Sequence, residues 1–262
     1  MGNWFVAKPE LVRLVDELGF DGVEIWSQSF EEAGFERVKE IAASLRLEVA
    51  SINPYFDFTT SEEAFRESLK VAETYLGYAR ELGCRRLRVW ASPRKAFASH
   101  REAEPVHWER AIRGIRELCD MAAPQGVTCV LEVHHGDGQL FDSSDSTLRI
   151  LEGVDRPNVT VNLQPPLLGE DPLESARRLG PYVTHLHAHN WRGGWGNFTN
   201  LEDGDYDFEE FMRILCGYGF DGYISLEHTS RDPEGVARHE IRYLRGLIAR
   251  LEEERSRERR DG

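Results

Sequence analysis

Short apolar runs alternate with stretches of helical periodicity along nearly the whole chain, and four runs in its second half end on a polar residue. Residues 127–131 lead to Glu132, 159–163 to Gln164, 183–186 to His187 and 223–226 to Glu227. Strict alternation of strands and helices implies a parallel sheet covered by helices. The 262 residues suit one α/β domain of the (β/α)8 TIM barrel type, which takes about 250 residues. A polar residue at the C-terminal end of a barrel strand points into the mouth. Two carboxylates, one imidazole and one amide oxygen converging there form a donor set for a divalent metal.

The punctuation supports this frame. Pro9 opens a helix through Leu11, Val12, Leu14, Val15 and Leu18 that Gly19 ends, and residues 21–26 follow as a strand. A second helix is expected over 31–45, with a strand over 47–52. Thr60 and Glu63 have capping-box spacing and open a long helix to Leu82, with a strand over 86–90. Further helices are expected over 105–123, 143–153 and 172–179, after Asp207, and over 233–251. That makes seven clear strands. The first barrel strand has room only in residues 3–6, so it is very short or truncated. A single domain over 1–262 is expected, with a charged, solvated helix end from about 252.

The formal net charge of −14 opposes nucleic acid and anionic membranes, whose binding needs cationic contacts. No apolar run is long enough to span a bilayer, and no signal-like segment opens the chain, so a cytoplasmic protein is expected. Cys84, Cys119, Cys129 and Cys216 form no Cys-x-x-Cys pair and read as reduced thiols, all but Cys84 lying inside apolar patterns.

The motifs Phe20-Asp-Gly-Val-Glu-Ile25, Leu131-Glu-Val-His134, His185-Leu-His187, 201–208 and 219–228, in this order, resemble the sugar phosphate isomerase/epimerase family of xylose isomerase-like barrels. The resemblance implies a divalent metal, manganese first with magnesium or cobalt as substitutes. It implies ligation by Glu132, His187 and Glu227, with Gln164 at a position where the family usually has aspartate. A histidine usual three residues after that aspartate is Leu167 here. The glutamine removes one negative charge, although its amide oxygen still ligates a hard ion.

Isomerisation next to a carbonyl needs a base, an acid and a stabiliser for the enediolate. Glu132 and Glu227 are the candidate acid/base pair. His134 shares the strand face of Glu132 and is a candidate substrate contact, as are Glu24, Trp26, Trp191, Arg192 and His189 near strand ends. Glu24 has a buried ion pair as its alternative. His185 reads as structural, one layer deeper, and His135 and His228 as packing or surface residues. The expected substrate is a small carbohydrate or polyol, and a homo-oligomer is compatible with the chain. The leading expectation is a metal-dependent sugar isomerase or epimerase. The alternatives are a dehydratase of a keto-polyol or keto-acid, and a non-catalytic sugar-binding or partner subunit. The DNA-repair endonuclease branch is disfavoured by Leu167 and by the net acidity.

Overall fold

The computed structural model describes residues 4–136, 139–229 and 232–261. Helices α1 (Trp4–Ala7) and α2 (Pro9–Glu17) lead into strand β1 (Gly22–Trp26). Then come α3 (Ser27–Ala33), α4 (Phe35–Ala43), β2 (Glu48–Asn53), α5 (Glu62–Glu81), β3 (Arg86–Val89), α6 (Pro105–Ala122) and β4 (Thr128–Val133). The chain continues through α7 (Ser144–Val154), β5 (Val159–Leu163), α8 (Pro172–Leu179) and β6 (Val183–Ala188). A hairpin of β7 (Asn190–Trp191) and β8 (Phe198–Thr199) precedes α9 (Phe208–Gly217), β9 (Tyr223–Leu226) and α10 (Pro233–Asp261).

The main sheet is parallel throughout, in the order β1-β2-β3-β4-β5-β6-β9. It curls into a nearly closed TIM barrel. His185 on β6 reaches Glu24 on β1 at 2.9 Å, and the Tyr223 hydroxyl of β9 donates to the Glu48 carboxylate of β2. Strand alternation sorts the barrel wall into two faces. Ile25, Ile52, Leu87, Leu131, Val161 and Leu186, each fully buried, belong to the apolar core. Their neighbours Glu24, Ser51, Arg88, Glu132, Asn162 and His185 are buried and polar, and line the interior.

Three expectations are corrected. Among the described residues the barrel has seven strands rather than eight. Residues 4–6 of the segment expected as a short first strand belong to the helix α1, closed by the Lys8 amide on the Trp4 carbonyl at 2.9 Å, with Phe5 packed into the core, and residue 3 lies outside the described residues. Four apolar residues carry too little periodicity to separate strand from helix. The helix expected over 31–45 is two, broken at Gly34, whose φ of 77° is left-handed. Ser61 caps α5, accepting from the Ala64 amide at 3.0 Å, while the Thr60 hydroxyl donates to Asp57 instead. No helix among the described residues is long and apolar enough to cross a membrane.

Candidate active site

Glu132, Gln164, His187 and Glu227 lie at the C-terminal ends of β4, β5, β6 and β9, and their side chains meet. Nδ1 of His187 lies 3.0 Å from Glu132 Oε1, 3.4 Å from Gln164 Oε1 and 3.9 Å from Glu227 Oε1. The Gln164 amide nitrogen donates to Glu227 Oε2, which turns its own oxygen toward the histidine. Glu132, Gln164 and His187 are buried, whereas the Glu227 side chain keeps 21% of its surface open to the mouth.

Two sets of buried neighbours hold this cluster. On the far side of the ring, His187 Nε2 lies 3.0 Å from Glu24 Oε1 and 3.2 Å from Oε2. Glu24 also accepts from Asn53 Nδ2 at 2.5 Å and contacts His185 Nε2 at 2.9 Å, so both its oxygens are occupied beneath the site. A carboxylate on one ring nitrogen fixes the tautomer and aims the other at a ligand. On the other side lies Arg88 of β3, 1% exposed, whose guanidinium meets Glu132 Oε2 at 2.6 Å and donates to the Pro54 carbonyl at 2.7 Å. It sits against the rings of Tyr55, Trp26 and Trp90, with centroid distances of 4.3, 4.5 and 4.9 Å.

The electrostatics follow from these neighbours. Burial pushes the Glu24 carboxyl up, but His187 and His185 outweigh it and hold it well below the usual range. Burial likewise opposes ionisation of Glu132, and Arg88 with His187 reverses this strongly. Burial lowers the His187 imidazole, yet Glu24, Glu227 and Glu132 together hold it well above its ordinary value. For Glu227, the charges of His187 and His228 overcome burial and lower the carboxyl. Burial depresses His189 to about 3.

The donor set fits a divalent cation. Three oxygens face one ring nitrogen, which has one proton at most to offer, and two of those oxygens are carboxylate.

The remaining candidates divide. His189 is buried beside Glu227, with Nδ1 3.9 Å from Glu227 Oε2. The His134 ring packs at a tilt of 39° against Trp90, with centroids 5.5 Å apart, and its Nδ1 meets the His135 carbonyl at 3.0 Å. Trp26 packs on Arg88, and Trp191 on β7 packs among His189, Trp195 and Tyr206. Arg192 is exposed on the hairpin, with its guanidinium on the Asp203 carbonyl. His185 is fully buried between Glu24 and Ser225.

Sequence reasoning missed Arg88, although an arginine between Leu87 and Val89 in a short strand is itself a signal of a buried charge with a partner. His228, read as packing or surface, instead turns its ring to Glu227, with Nε2 3.2 Å from Oε2. The chain leaves β9 at Leu226, and at φ 55° His228 no longer obeys strand alternation.

Fold and site together define an α/β barrel with a histidine-carboxylate cluster at its mouth. The chain belongs to the xylose isomerase-like TIM barrel family, which it matches over residues 12–247. It is 27% identical over 208 residues to 3-dehydroshikimate dehydratase of Bacillus anthracis, covering 75% of this chain and 68% of that protein. It is 24% identical over 256 residues to fructoselysine 3-epimerase of Escherichia coli O157:H7, covering 90% and 92%. Among solved structures, a xylose isomerase-like barrel protein from Mycobacterium smegmatis in complex with magnesium superposes with a TM-score of 0.71 at 19% identity, over 93% of this chain and 88% of that one. The IOLI protein with a bound zinc atom superposes at 0.74 and 16% identity, over 93% and 92%.

Proposed function

We propose that this protein is a divalent-metal-dependent isomerase or epimerase that moves a proton at the carbon next to a carbonyl of a small sugar, keto-sugar or polyol. The observation that carries this reading is the convergence of the Glu132, Gln164 and Glu227 oxygens on His187 Nδ1 at a barrel mouth. Both relatives support it, since epimerisation beside a carbonyl and β-elimination of water both begin by ionising an α-C–H bond. Glu132, Gln164, His187 and Glu227 hold the cation, with manganese preferred and magnesium or cobalt as substitutes. The bound cation supplies Lewis acidity that makes the α-proton removable at neutral pH.

The chain's own residues do the rest. Glu227, open to the mouth, takes the proton on one side of the substrate, and Glu132 faces the other. Arg88 and His187 hold Glu132 in one orientation. Trp26 and Trp191 offer flat faces to sugar C–H groups, and His134, His189 and Arg192 are the remaining candidates for placing its hydroxyls, whereas Glu24, its oxygens taken by His187, His185 and Asn53, serves the buried ion pair instead.

One observation favours a second reading, a dehydratase. With Nδ1 of His134 on the His135 carbonyl at 3.0 Å, its Nε2 is the ring nitrogen left to take the α-proton and return it to the leaving hydroxyl. Incubating metal-loaded protein in D2O with a panel of keto-sugars and keto-polyols separates the two. Interconverted stereoisomers with deuterium at the α-carbon support the first, and an unsaturated ketone with loss of water supports the second. If neither forms across the panel while the metal is bound, both readings fail.

A further inference from the structure

Glu227 presents its two oxygens to two different sets of nitrogens. Oε1 faces His187, whereas Oε2 faces His189 Nδ1 at 3.9 Å and His228 Nε2 at 3.2 Å. The donor atoms of His189, His228 and Glu227 all lie within 4.8 Å of one another.

Each imidazole is prepared as a ligand. His189 is 3% exposed, and its Nε2–H donates to the Pro165 carbonyl at 2.7 Å, which leaves Nδ1 as the bare nitrogen. That Nδ1 is buried with no hydrogen-bond partner among the described residues. A buried lone pair without a partner is rare and destabilising, and it aims at the Glu227 carboxylate. His228 Nε2 is also buried and lies off the line of a hydrogen bond to Oε2. The His228 ring is held parallel to Phe198, with centroids 4.2 Å apart and 5° between planes. Its backbone is left-handed at φ 55°, a strained conformation for a non-glycine residue that serves to turn this ring inward. Trp195 packs against both imidazoles, at 5.1 and 5.4 Å, and gives the cluster an apolar wall.

We infer that His189, His228 and the Oε2 of Glu227 form a second cation site, bridged to the first by Glu227. Two imidazoles and one carboxylate oxygen with an open side make a zinc-type donor set. The first cluster, with three oxygens to one nitrogen, favours manganese or magnesium. The Gln164 amide also donates to Oε2 but leaves that oxygen a further lone pair. The inference shares Glu227 with the proposed function but stands on different nitrogens, so the two can fail separately.

The test is zinc stoichiometry by calorimetry and elemental analysis on the chelator-stripped full chain, without substrate. Wild type is expected to bind two equivalents. His228→Gln, at a partly exposed position, and His189→Gln are each expected to bind one, and His187→Gln to keep the equivalent that they lose. His239→Ala serves as a control for the surface pair His239–Glu202. One zinc lost in His228→Gln but kept in His187→Gln supports the second site even if the first fails. Zinc binding indifferent to both His189→Gln and His228→Gln, a second equivalent lost only in His239→Ala, or no binding at all would overturn it.

Discussion

Arg88 is a charge sealed inside the barrel, and its environment says why it is tolerated. The carboxylate of Glu132, the Pro54 carbonyl and three aromatic faces replace the water it lost. Arg88→Met strands a buried carboxylate and is expected to destabilise the metal-stripped protein by about 3–5 kcal/mol in urea unfolding. Glu132→Gln combined with it should cost less than the sum of the two single changes. His187 sets the pH response. Its raised pKa means that the ring of stripped protein holds a second proton at neutral pH, and a metal must displace it. Manganese affinity should therefore rise with pH by about tenfold per unit until pH passes that pKa. The linkage sign for stripped protein is opposite. Stability from protonated His187 is full below its ordinary value of about 6.5 and is lost as pH climbs through the raised one. Gln164→Asp restores one negative charge, so manganese affinity is expected to increase by on the order of tenfold in calorimetry.

At the scale of elements, the barrel holds its helices at close range through a few glycines. A Cβ on Gly114 of α6 would sit 2.3 Å from the Phe58 ring, which is fully buried. Gly114→Ala is expected to destabilise the protein by about 1–3 kcal/mol despite the roughly 1 kcal/mol that alanine adds to a helix interior, because the overpacking outweighs the propensity gain. A rise in thermal midpoint would contradict this packing. Most elements were legible in the sequence because periodicity and caps are local. Pro172–Leu179 and Tyr223–Leu226 fall where their patterns place them, and Asp207 caps α9 on the Glu210 amide at 2.9 Å. The convergence of four strand ends was legible because parallel strands share a direction. What escaped is non-local. Arg88 reveals its partner only when β3 lies beside β4, and His228 faces Glu227 only because the backbone turns left-handed after β9. The α1 helix and the break at Gly34 are decided by packing and by one backbone dihedral.

For the molecule as a whole, the wall of the barrel separates stability from chemistry. The apolar face of the strands packs on the helices, and the polar interior leads from Glu24 and Arg88 up to Glu227 at the mouth. The most direct measurement is solvent deuterium wash-in at the α-carbon of a keto-sugar that turns over, followed by NMR with metal content determined on the same samples. Exchange is expected in manganese-loaded wild type and its loss in Glu227→Gln that still holds its metal, because an amide cannot accept the proton at neutral pH. Metal-loaded Glu227→Gln exchanging at nearly the wild-type rate would contradict this.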